Sequence, residues 1–127
     1  HQAPWYPGTG SSEETGSGNG LGFTRNHPLP SGSGNAEIVE NAFADDLVHR
    51  MNRYRPELVI ISAGFDSKLG DPLGQFQLMD DDFSELTRVI RSIAKEYAES
   101  RVLSILEGGY HLDGLSQACV AHFGALI

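Results

Sequence analysis

The stretch Leu58-Val59-Ile60-Ile61-Ser62-Ala63-Gly64-Phe65-Asp66 decides the fold class, and Val102-Leu103-Ser104-Ile105-Leu106-Glu107-Gly108-Gly109-Tyr110 follows the same plan. Each begins as a run of apolar, β-prone residues and ends in glycine followed by a polar side chain. Such a run reads as a buried parallel strand opening into a loop, and in open α/β sheets ligands bind along that carboxyl-terminal edge. One loop offers a carboxylate, Asp66, and the other a phenol, Tyr110. Both are aimed at the same edge.

Helical patterns flank the two runs. Val39, Phe43, Leu47, Met51 and Tyr54 recur at threes and fours and predict a helix from Glu37. Arg55-Pro56 ends it, because the residue before proline is steered out of the helical region. Phe83, Leu86, Ile90, Ile93 and Tyr97 predict a second helix behind Asp80, Asp81 and Asp82. Three aspartates suit a helix amino terminus and its free amides, so they are read as capping groups and not as a metal site. A third helix starts near Asp113, with Leu115, Ala118, Cys119, His122 and Leu126 on its inner side.

The first 36 residues hold 8 of the 15 glycines, which marks a loop. Trp5, Tyr6, Leu21 and Phe23 are poor choices for a flexible tail, so an ordered loop is expected, with a short strand near 23–26. The chain therefore divides into a glycine-rich loop and short strand (1–36) and strand–helix repeats (37–127). Alternating strand and helix means parallel pairing with right-handed crossovers. Three strands are few for such a sheet, which needs cover on both faces and neighbours at both edges. The element list looks like one side of a larger doubly wound domain.

At 127 residues, 39% hydrophobic and 20% charged, the chain has the size and composition of one soluble domain. A net charge of −8 argues against nucleic acid as partner and is compatible with a cationic substrate, though acidity also serves solubility. Cys119 is the single cysteine, which rules out an internal disulfide; its apolar helical setting predicts a buried structural thiol. His1-Gln2-Ala3-Pro4 has neither the basic nor the apolar region of a signal peptide. The longest apolar stretch, 58–65, is too short to span a bilayer. No membrane partner and a reducing, cytoplasmic setting are the expectations.

Two tempting motifs fail. Glycines alternate through 16–22 instead of following G-x-G-x-x-G, and the segment precedes a strand. Ser33, between Gly32 and Gly34, has no strand leading into a nucleophile elbow. Asp66 reads either as a turn residue or as a metal ligand, with a second acid, Asp71, before Pro72-Leu73-Gly74. One ligand is not a site, since catalytic zinc usually takes three protein ligands. Tyr110 either packs or donates its phenolic proton to a developing oxyanion. His1, His27, His49, His111 and His122 are scattered and read as structural or surface residues, His111 being the most open to another role.

Five blocks together resemble the zinc-dependent histone deacetylase family, in particular its class II and bacterial acetylpolyamine-amidohydrolase-like members. They are HQAPWYPGTG (1–10), ETGSGNGLGFT (14–24), NHPLPSGSG (26–34), SAGFDSKLGDPLG (62–74) and LEGGY (106–110). The resemblance covers essentially the whole chain and implies the carboxyl-terminal part of an arginase/deacetylase-like fold, a three-layer parallel sheet flanked by helices. It also implies zinc, and a substrate that is an acetyl-lysine peptide or an acetylated small amine. Asp66 then takes the part of a zinc ligand, and Tyr110 that of the group that hydrogen-bonds the scissile carbonyl. Tyr6 lines the substrate channel, and Gly109 leaves room for the acyl group.

His27 replaces a residue that is commonly valine in the family, and His111 stands where aspartate or asparagine is frequent. The family's tandem histidines and its Asp-x-His motif, which supply acid, base and two further zinc ligands, lie before the block that starts at His1. No His-His pair or Asp-x-His occurs in this sequence. Two expectations follow: a segment of an amidohydrolase that is silent alone and holds zinc weakly, or a non-catalytic α/β module whose open sheet side is covered by another copy or a partner.

Overall fold

The structure is a computed structural model and describes residues 1–6 and 8–127; Pro7, in the first quoted block, lies outside them. Helix α1 runs over Ala36–Leu47 in wide turns, typified by the Val48 amide donating to the Phe43 carbonyl, and continues over Val48–Tyr54. It stops where expected. Arg55 takes a left-handed φ of 56° and its amide closes the last turn on Met51, after which Pro56 is buried. Strand β1 follows at Val59–Ala63, helix α2 at Asp80–Tyr97, strand β2 at Val102–Leu106 and helix α3 at Leu112–Leu126.

β1 and β2 pair in parallel, with Val59 opposite Val102 and Ala63 opposite Leu106. The connection through α2 is the crossover that parallel strands require. Ile61 and Ser104 face the helices, where Val39 of α1, Phe83 of α2 and Ala118 of α3 form one core with Phe65 and Leu78. Burying side chains such as Phe65, Leu78 and Val39 contributes roughly 1.5–3 kcal/mol each. α2 begins as its sequence predicts: Asp82 accepts from the Met79 amide at 2.7 Å, and Asp80 pairs with Lys68 at 2.7 Å. Structural duties thus occupy two of the three aspartates.

Two expectations need correction. No strand forms at 23–26. Asn26 donates to the carbonyls of Ser11 and Glu14, Arg25 reaches Asp46 on α1, and Phe23 stacks edge-on against Tyr54. Side-chain bonds to the loop and to α1 draw this stretch away from the sheet. The pairing falls instead at Leu29, which bridges in parallel to Gln2. Nor are the strands buried on both faces. Ile60, Leu103 and Ile105 are 58%, 50% and 46% exposed, on the face opposite Ile61 and Ser104. Among the described residues that face lies open.

Candidate functional site

The site grows out of strand pairing. Beyond the last register pair, Glu107 donates to the Ala63 carbonyl at 3.0 Å and Phe65 donates to the Gly108 carbonyl at 2.8 Å. The two loops therefore leave the sheet side by side, and Asp66 and Tyr110 line one cleft because their strands are neighbours. Phe65 is buried against Phe83 and His122 and anchors the short turn Phe65–Ser67 that presents Asp66.

Glycines fit closely round that aspartate. A Cβ on Gly64 would lie 2.8 Å from Asp66 Oδ1, and one on Gly108 would lie 2.9 Å from Asp66 Cγ. One on Gly74 would lie 1.7 Å from the Asp66 carbonyl oxygen. The glycines of both loops thus make room for a carboxylate and its backbone. That carboxylate is half-buried and accepts no hydrogen bond from the described residues. Its oxygens are not taken up by any side chain or amide among the described residues.

Asp66, Tyr110 and Tyr6 line one cleft of about 730 Å³, together with His1, Trp5 and Phe83. Tyr110 is 53% exposed and Tyr6 87% exposed. Gly109, expected in the channel, is not among the residues lining this cleft; it takes φ 139°, and a Cβ there would lie 2.8 Å from Leu115 and 3.1 Å from Phe65. Gln2 ties the first block to the loop that follows Asp66. Its side chain donates to Gln75 Oε1 and accepts from the Gln75 amide, both at 3.0 Å.

Asp71 joins the two loops. One of its oxygens accepts from the amides of Leu73 and Gly74, at 2.8 and 2.9 Å. The other accepts from the amide of Tyr110 at 2.8 Å. Burial alone would raise this carboxyl, but the backbone donors, Gly74 and Tyr110 first, outweigh it and hold it below the usual range. His111 caps α3, its Nδ1 accepting from the Gly114 amide at 3.0 Å. Among the described residues no three His, Cys, Asp or Glu side chains gather as a metal cluster. Asp66 has the donor chemistry and the free oxygens to serve as one ligand of a divalent metal.

Residues 1–126 match the histone deacetylase domain. The chain belongs to the histone deacetylase family. It is 38% identical to "Histone deacetylase 14, chloroplastic" of Arabidopsis thaliana over 127 residues, all of this chain and 30% of that protein. It is 44% identical to "Polyamine deacetylase HDAC10" of Homo sapiens over 108 residues, 84% of this chain and 15% of that one. The solved HDA15 HD domain superposes with a TM-score of 0.88 at 33% identity, covering 99% of this chain and 35% of the other. This deacetylase-family chain thus carries the family's α/β fold and spans about a third or less of these relatives. None of its described helices is long and apolar enough to cross a membrane.

The position of Asp66 and Tyr110 at the strand ends was within reach of sequence reading, because an apolar run ending in glycine announces a strand and its loop. Gln2 and the double role of Asp71 were missed. Their partners lie 73 and 39 residues away in sequence and are in part backbone amides, which leave no residue signature.

Proposed function

We propose that this chain is the carboxyl-terminal segment of a zinc-dependent amidohydrolase that removes acetyl groups from acetyl-lysine or acetylated small amines. The observation that carries the reading is the delivery of Asp66 and Tyr110 to one cleft by adjacent strand ends. In this reading Asp66 would supply one ligand to a zinc ion. Zinc, when bound, supplies Lewis acidity and an acidified water. The Tyr110 hydroxyl donates to the amide oxygen as negative charge develops there. Tyr6 borders the path of the acyl-bearing side chain. Gly109 stands beside the acyl group, and its φ and its closeness to Leu115 and Phe65 demand glycine for packing as well.

The remaining ligands and the base belong, in this reading, to sequence outside this chain. The isolated 127 residues are therefore expected to hold zinc weakly and to be silent. The test compares the isolated chain with a full-length protein that carries it, measuring bound zinc and acetate release from an acetyl-lysine peptide and from an N-acetylpolyamine. The full-length protein should turn over at least one substrate, and Tyr110→Phe should slow it by about 10²–10³-fold. A zinc-loaded full-length protein inert on both substrates sinks the reading. Turnover by the isolated chain sinks the claim of incompleteness.

A second reading rests on the open sheet face. An apolar patch formed by Ile60, Leu103 and Ile105 fits a non-catalytic module that associates through it. Under that reading the full-length protein binds a partner or a second copy without consuming acetylated substrate.

A further inference from the structure

Asp71 stands where the two halves of the site are joined. Oδ1 holds the amides of Leu73 and Gly74, and Gly74 in turn abuts the Asp66 carbonyl so closely that no Cβ fits between them. Oδ2 crosses to the other loop and holds the Tyr110 amide. Tyr110 itself is 53% exposed, so little packing fixes its direction. The bond to its amide fixes where its Cα and its Cα–Cβ bond stand.

We propose that Asp71 is a positioning residue, which sets the Tyr110 hydroxyl against the Asp66 carboxylate by holding both loops on one carboxylate. The proposal rests on the deacetylase reading for its kinetic consequence, whereas its geometry does not. A turn residue alone would need only the bonds to Leu73 and Gly74. The bond to Tyr110, 39 residues on, does nothing for that turn. It fixes the spacing between the group that would orient the metal and the group that would bind the amide oxygen. A misplacement of about 1 Å can cost about 10²-fold in rate.

Asp71→Asn isolates this bond. Asparagine keeps one oxygen for Leu73 and Gly74 and turns an amide NH₂ toward Tyr110, so the turn survives while the link is cut. In the zinc-loaded full-length protein the variant should lower kcat by about 10²-fold, leaving KM within about twofold. Combined with Tyr110→Phe it should cost nearly nothing further, because a residue acting through the hydroxyl is silent once the hydroxyl is gone. Losses that simply multiply in the double variant overturn the proposal. Hydrogen exchange of the Tyr110 amide is measured in the same proteins. It should quicken at least tenfold in Asp71→Asn while the Leu73 and Gly74 amides keep their protection, and unchanged exchange at Tyr110 also overturns the proposal. An inactive parent protein refutes the deacetylase reading alone, and the exchange measurement then decides the role of Asp71.

Discussion

Glycine at single positions sets the shape of this site. At Gly74 a methyl group would overlap the Asp66 carbonyl, lying 1.7 Å from its oxygen, so the loop could accept alanine only by opening. Gly74→Ala is expected to destabilise by about 3 kcal/mol, at the upper end of ordinary overpacking costs. Gly124 makes the contrast. It lies within α3 with nothing within 4 Å of the added methyl, and Gly124→Ala should stabilise by about 0.5 kcal/mol through reduced backbone entropy in the unfolded chain. Urea midpoints of the two variants check both signs, and similar midpoints would contradict the crowding at Gly74. Gly108→Ala falls between them, since its methyl meets the movable end of the Asp66 carboxylate at about 3 Å. It should disturb the position of Asp66, read as lost metal affinity in the full-length protein, more than it disturbs the midpoint.

Among the elements, α2, β2 and α3 are tied by one buried imidazole. His122 meets the Thr87 hydroxyl at 2.7 Å through Nδ1 and the Ser104 hydroxyl at 2.8 Å through Nε2. Thr87 donates its own proton to the Phe83 carbonyl, so its oxygen receives the Nδ1 proton and Nε2 accepts from Ser104. Burial holds His122 below its ordinary pKa of 6.5. The folded chain therefore binds this proton less readily than the unfolded chain. Stability from this group is complete above about pH 6.5 and is lost as the pH falls below that value. Urea midpoints at pH 7.5 and 5.5 should fall more steeply for the parent than for His122→Gln, and equal slopes would remove His122 as the cause. The helices of this knot were legible in sequence, since Phe83, Ile93, Ala118 and His122 keep a helical period and are buried on one side. The stretch 23–26 was not. Its residues look β-prone in isolation, and what decides them is a carboxylate on α1, Asp46, which gathers Arg25, His27 and Arg50. Burial would raise Asp46, but the bonds from Arg50, Arg25 and His27 prevail and bring it down to about 2. Local propensity cannot report an attraction that acts across 21 residues. The loops bearing Asp66 and Tyr110 were readable for the opposite reason, because each is continuous with its own strand.

For the whole molecule, the deciding quantity is the uncovered sheet face. Leu103 and Ile105 on β2 and Ile60 on β1 present adjacent apolar side chains to solvent, in a chain that spans 30% of its Arabidopsis relative. Parallel sheets are normally covered on both faces, so this surface calls for a neighbour. The same substitution should then act in opposite directions in two settings. In the isolated chain, Leu103→Lys places a charge on the patch and should convert a self-associating species into a monomer, read by sedimentation velocity. If further sequence of the full-length protein covers the face, a lysine there loses its water. Leu103→Lys should lower that protein's urea midpoint, since an unpaired charge is costly to bury. A substitution at Arg88, on the exposed side of α2, serves as the comparison and should move neither reading. If Leu103→Lys leaves the isolated chain's sedimentation unchanged and the full-length protein's midpoint intact, the face is a true surface and the domain closes without it.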